Sequence, residues 1–199
     1  MSNLSFASIN QINPSSSTLY AIIDMASEDE IYDYLLIYEP SHRCLYDGEL
    51  KVQYEVVSPH IVELKEGCEF TTWFLAQTSE KNQGIFLQSS YDIDALKVHF
   101  MHYAIIEIDP NDLYETEVAG EFNGETTQAL FAFYDPRVFT QWMPTLPKED
   151  RETFYTLLES IMVQNPKEEK EFLLYKEQNE TLTMETIKIK QKENENELV

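Results

Sequence analysis

The stretch NQGIFLQSSYDIDALKVHF, residues 82–100, decides the fold because it holds a complete step from strand to helix. GIFLQ (84–88) is a short apolar run opened by a glycine, the length and character of a buried strand. Ser89 and Asp92 then stand in N-capping positions, and Ile93, Leu96, Phe100 and Met101 follow along one helical face. A strand that feeds a helix asks for a sheet covered by helices.

The flanking sequence repeats the alternation. LYAIIDM (19–25) and HIVEL (60–64) read as strands. Between them SEDEIYDYLLIYEP (27–40) predicts a helix, with Ser27 and Glu30 as a capping box and Pro40 as its stop. Its stripe is Ile31, Tyr34, Leu35 and Tyr38. RCLYDGEL (43–50) reads as a strand running into a turn at Asp47-Gly48, and CEFTTWFLAQT (68–78) as a short helix. YAIIEI (103–108) and QALFAFY (128–134) predict a hairpin across a long acidic loop. KEDRETFYTLLESIMVQ (148–164) predicts one helix, with Phe154, Leu157, Leu158 and Ile161 on a face and Asn165-Pro166 at its end.

The expected architecture is α/β, a mixed sheet flanked by helices with a small helical C-terminal lobe and a flexible acidic tail. Residues 1–17 are polar and read as a flexible arm, 18–165 as the α/β domain, and 166–199 as a charged tail. The apolar content of that tail is thin, and its middle piece EFLLYKEQNETLTMETIKIK is expected to form at most a weak helix or strand on a partner.

Fourteen Lys and Arg against 36 Asp and Glu leave a net charge of -22. Such a surface repels phosphate backbones and anionic membranes and favours basic partners, so no nucleic-acid partner is expected. The sequence contains neither a secretory leader nor a membrane span, which predicts a cytoplasmic protein. Cys44 and Cys68 read as reduced thiols.

The residues that might carry chemistry are few. His99 and His102 share a helix face but lack companion ligands for zinc. Ser58 and His60 sit beside a proline at a strand entry, with no nucleophile elbow. Five scattered glycines make no phosphate loop. Asp24, Asp47 and Asp135 each end a predicted strand, the one arrangement open to an acid, base or metal role. Asp135-Pro136-Arg137 reads first as a helix start, with Asp as N-cap and Pro at the first helical position. Tyr32, Tyr34, Tyr38, Trp73, Phe74 and Trp142 read mainly as core. Neither a catalytic set nor a metal or cofactor site emerges.

Taken in order, LYAIIDMA, HRCLYDGEL, SPHIVEL, NQGIFLQSSYDIDALKVHF and LFAFYDPRVFTQWMPTL resemble the effector chaperone, or adaptor, family of type VI secretion. The resemblance runs from about Leu19 to about Val163 and is carried by Leu45, Tyr46, Asp47 and Gly48 with Phe133, Tyr134, Asp135, Pro136 and Arg137. It implies a non-enzymatic cytoplasmic protein without cofactors. Its partners would be a toxic effector and a VgrG-type spike, and the motif residues would hold the fold or shape the partner surface. Gln83 stands where the family often has Trp, and ALKVHFMHY replaces a usually Arg-rich helix. An immunity protein against a basic toxin, or a small enzyme using the strand-end carboxylates, are the alternatives.

Overall fold

The computed structural model describes residues 4–7, 9, 17–78, 82–108, 127–168 and 171–188. The predicted acidic loop between the hairpin strands lies outside the described residues, as do 10–16 of the arm and 189–199 of the tail.

A seven-stranded sheet forms the middle layer. Its strands are β1 (Thr18–Asp24), β2 (His42–Cys44), β3 (Pro59–Leu64), β4 (Gly84–Ser89), β7 (Ser160–Gln164), β8 (Glu171–Gln178) and β9 (Thr181–Lys188). They lie in the order β2-β3-β1-β4-β7-β8-β9. A separate ribbon pairs β5 (Ile105–Ile108) with β6 (Thr127–Leu130), the predicted hairpin with shorter strands: 103–104 belong to the preceding helix and 131–134 lead out of the strand towards the next one. The helices are α1 (Glu30–Tyr38), α2 (Gly48–Tyr54), α3 (Glu69–Thr78), α4 (Ile93–Ala104), α5 (Pro136–Trp142) and α6 (Lys148–Tyr155). The α/β class with flanking helices holds, and the sheet is antiparallel in every described pair rather than mixed.

Alternation along the strands builds two cores. Tyr20 and Ile22 of β1, Ile85 and Leu87 of β4, and Ile161 and Val163 of β7 face α4, α5 and α6. Leu19, Ala21 and Ile23, Phe86 and Met162 face α1 and α3 instead. Each fully buried Leu, Ile or Phe here contributes about 1.5–3 kcal/mol of transfer free energy. Leu4 and Ile9 of the predicted arm are buried in the second core, so the arm is seated at those two points.

Gly84 opens β4 opposite Ile23. Its φ is +155°, and a Cβ built there would lie 2.0 Å from the carbonyl oxygen of Ile22. The residue is glycine because backbone occupies the space a side chain needs.

Several local expectations change. Helix α1 starts at Glu30 without the Ser27 capping box; the Ser27 hydroxyl donates to the Asp24 carbonyl, at 2.7 Å. Helix α1 ends as predicted before Pro40, with Glu39 left-handed at φ 47°. Asp47-Gly48 begins α2 rather than a plain turn. The last predicted helix stops at Tyr155, and 160–164 is the strand β7 between β4 and β8. Residues 171–188, assigned to a flexible tail, form the hairpin β8–β9. Phe172, Leu174 and Tyr175 bury β8 while β9 is largely exposed, and Asn179 (φ 49°) with Glu180 (φ 66°) make the two-residue turn.

Candidate functional site

The two motifs that carry the resemblance meet in space. Leu45 and Tyr46, just after β2, are buried beside Phe133 and Tyr134, just before α5. The phenols of Tyr46 and Tyr134 lie close enough for each to act on the ionisation of the other. Burial pushes both phenols above the ordinary tyrosine range, so they stay protonated.

Asp135 and Arg137 sit at the rim of this contact. The Asp135 carboxylate caps α5 by accepting from the Arg137 amide at 2.8 Å, and it accepts again from the Arg137 guanidinium. Pro136 occupies the first helical position and is buried. Arg137 is held at the surface, its side chain 65% exposed, and Asp135 raises its pKa further. With Val138, Gln141 and Trp142 these two line an open depression. Replacing Asp135 with Ala removes both interactions and is expected to cost about 1–2 kcal/mol in thermal unfolding. Asp135→Asn keeps a capping oxygen and should lose clearly less; equal losses would contradict the cap.

Of the three carboxylates expected at strand ends only Asp24 ends a strand; Asp47 and Asp135 stand directly before helices, and the three do not form one cluster. Asp24 shares the field of Asp135 and Arg137, and its carboxyl caps the one-turn helix at Met25–Ser27. Burial raises its pKa, partly offset by the Ala26 amide and with Asp135 adding to the rise. Asp47 instead meets Lys97 of α4 at 3.4 Å. Gly48 next to it has φ +57° and starts α2.

The two histidines of α4 have different surroundings. His99 contacts the Phe154 carbonyl oxygen through Nε2 at 2.8 Å and packs among Phe100, Tyr103 and Phe154, while His102 is exposed. Ser58 donates to the Tyr54 carbonyl at 2.7 Å, and the ring of His60 lies against the Ser58 carbonyl at 3.0 Å. This pair locks the entry to β3. Among the described residues no group of three or more His, Cys, Asp or Glu is placed to hold a metal ion. Cys44 and Cys68 are both free thiols.

His60 has a measurable consequence. It is fully buried, its Nε2 has no hydrogen-bond partner among the described residues, and burial lowers its pKa from 6.5 to about 4. The unfolded chain then binds the proton first, so stability falls as pH drops from about 6.5 towards 4. A whole proton corresponds to about 1.4 kcal/mol per pH unit. Urea midpoints measured from pH 7 down to 4.5 should fall less steeply for His60→Gln than for the wild type. Equal slopes would remove His60 as the source.

The pairing of Tyr46 with Tyr134 has one faint trace in sequence: each motif places Tyr-Asp directly before a helix start. A family model described as a domain of unknown function, DUF4123, matches residues 19–153, about two thirds of the chain and both motifs. The chain belongs to this family. The DUF4123 segment runs from β1 into α6, and β7, β8 and β9 lie beyond it. No match was found among curated proteins or among solved structures.

Proposed function

We propose that this DUF4123 protein is an adaptor of type VI secretion, holding a toxic effector in the cytoplasm and passing it to a VgrG-type spike. The supporting observation is coincidence in place. The family match covers 19–153, and the motifs resembling effector chaperones, Leu45–Gly48 and Phe133–Arg137, fall inside it. Asp135 caps a helix and Asp47 pairs with Lys97 of α4, and an architectural role for the motifs fits both contacts. No helix among the described residues is long and apolar enough to cross a membrane.

The test is capture with the tagged full chain from its native host, followed by identification of bound proteins by mass. A large toxin together with a spike protein is the expected result. A chain recovered alone would overturn the reading. With a net charge of -22, capture of a basic effector should also weaken as salt rises. Co-expression separates the adaptor from an immunity protein, which would abolish the toxin's activity as well as bind it.

A further inference from the structure

Helix α2 and the one-turn helix after it (Glu55–Val57) form the least explained surface of the molecule. Val52 is 87% exposed, Val56 57% and Val57 50%, with Tyr54 beside them. Helix α2 has seven residues and buries none of them fully; only Leu50 packs partly onto the core. So short a helix, opened by glycine and carrying a β-branched valine, has little intrinsic stability. Exposed apolar side chains concentrated on one element mark an interaction surface.

The patch continues towards α1. Tyr32 stands between the two elements, its ring 5.7 Å from His60 and its phenol under the charges of Glu55 and Lys51. One helical turn further on, Leu36 is 54% exposed. The surroundings are acidic: Asp29, Glu30, Asp33 and Glu49 are all exposed. The nearby cations are already engaged, Lys51 by Glu55 at 3.5 Å and Arg43 by Asp94 at 2.6 Å.

We propose that the acid-rimmed apolar surface of α2, its following turn and the Leu36 face of α1 docks a protein segment whose apolar side chains are flanked by Lys or Arg. Charge complementarity selects this occupant. A second copy of the chain would bring the same carboxylates face to face, and the acidic stretch 109–126 of this chain carries the wrong sign. The segment would lay its apolar stripe over Val52 and Val56 while its cations meet Asp29, Asp33 and Glu49. The proposal rests on the adaptor reading only for the identity of the cargo.

The test uses the full chain and a synthetic amphipathic peptide of leucine and lysine as probe, with hydrogen exchange and titration as readouts. Protection is expected at 29–37 and 48–57. Val52→Ser with Val56→Ser should weaken binding about tenfold or more, the loss of one good apolar anchor. Both positions are exposed, so circular dichroism should report an unchanged fold. Met184→Ser, on β9, serves as the control and should leave affinity unchanged. Protection elsewhere, or equal affinity in the double variant, would overturn the proposal. So would a dimer that the double variant breaks, or protection already complete without peptide. If captured effector is retained by the double variant at full affinity, the surface fails and the adaptor reading stands. If the peptide behaves as expected and the tagged chain captures no secretion protein, the adaptor reading fails and the surface stands.

Discussion

Gly84→Ala is expected to destabilise the protein by about 3–5 kcal/mol, the sum of a forced overlap and a disfavoured backbone angle. The added methyl carbon would sit 2.0 Å from the Ile22 oxygen and 3.1 Å from the Ile23 Cα, both rigid backbone in the adjoining strand. Relief requires β1 and β4 to separate, and that pair is the centre of the sheet. Against a typical total stability of about 5–15 kcal/mol, a large part of the chain would be unfolded or aggregated. Urea unfolding of the purified variant gives the number. A loss under about 1 kcal/mol would mean that the strands do not approach as closely as described.

Phe154→Ala should cost about 3–5 kcal/mol for a different reason, a cavity where many rings converge. Phe154 is fully buried and touches Phe100, Tyr103, Phe133, Phe139 and Trp142. These rings belong to α4, α5 and the Phe133-Tyr134 turn, so one side chain joins the helical layer to the motif FYDPR. Trp142, 5.4 Å away, reports on the site directly. Its emission should shift to the red in the variant, and Phe154→Leu should recover most of the stability. A stable variant with unchanged emission would show that the neighbours collapse into the space.

Much of this architecture was readable in the sequence. GIFLQ, LYAIID and HIVEL are short apolar runs bounded by turn residues, and each is a strand. Asp92 and Asp135 cap the helices predicted for them because an Asp before an apolar-periodic run has few other uses. Residues 157–164 misled because a strand covered on both faces shows no alternation. Leu157, Leu158 and Ile161 happen to fit a helical spacing. The β8–β9 hairpin was obscured by its charged composition and by a turn of Asn179-Glu180, without the glycine that usually signals it. In the site, the cap at Asp135 was legible from neighbours in sequence. The contact of Tyr46 with Tyr134 was not, because only the tertiary fold brings them together. The acid-rimmed surface on α2 was hidden for a related reason: Val52, Tyr54 and Val56 alternate, which suggests a strand rather than an exposed helix.

The order of strands also sets a timetable for synthesis. The middle of the sheet is β1, β4 and β7, drawn from residues 18–24, 84–89 and 160–164. As the chain leaves the ribosome, β1 and β4 emerge long before β7 is made. Until then the outer ladder of β4 is bare, flanked by Ile85, Phe86 and Leu87. Pairings of such long sequence separation form slowly and leave sticky edges exposed in the meantime. A nascent chain halted before Ser160 should therefore depend on general chaperones, and release from that dependence should coincide with the arrival of β7.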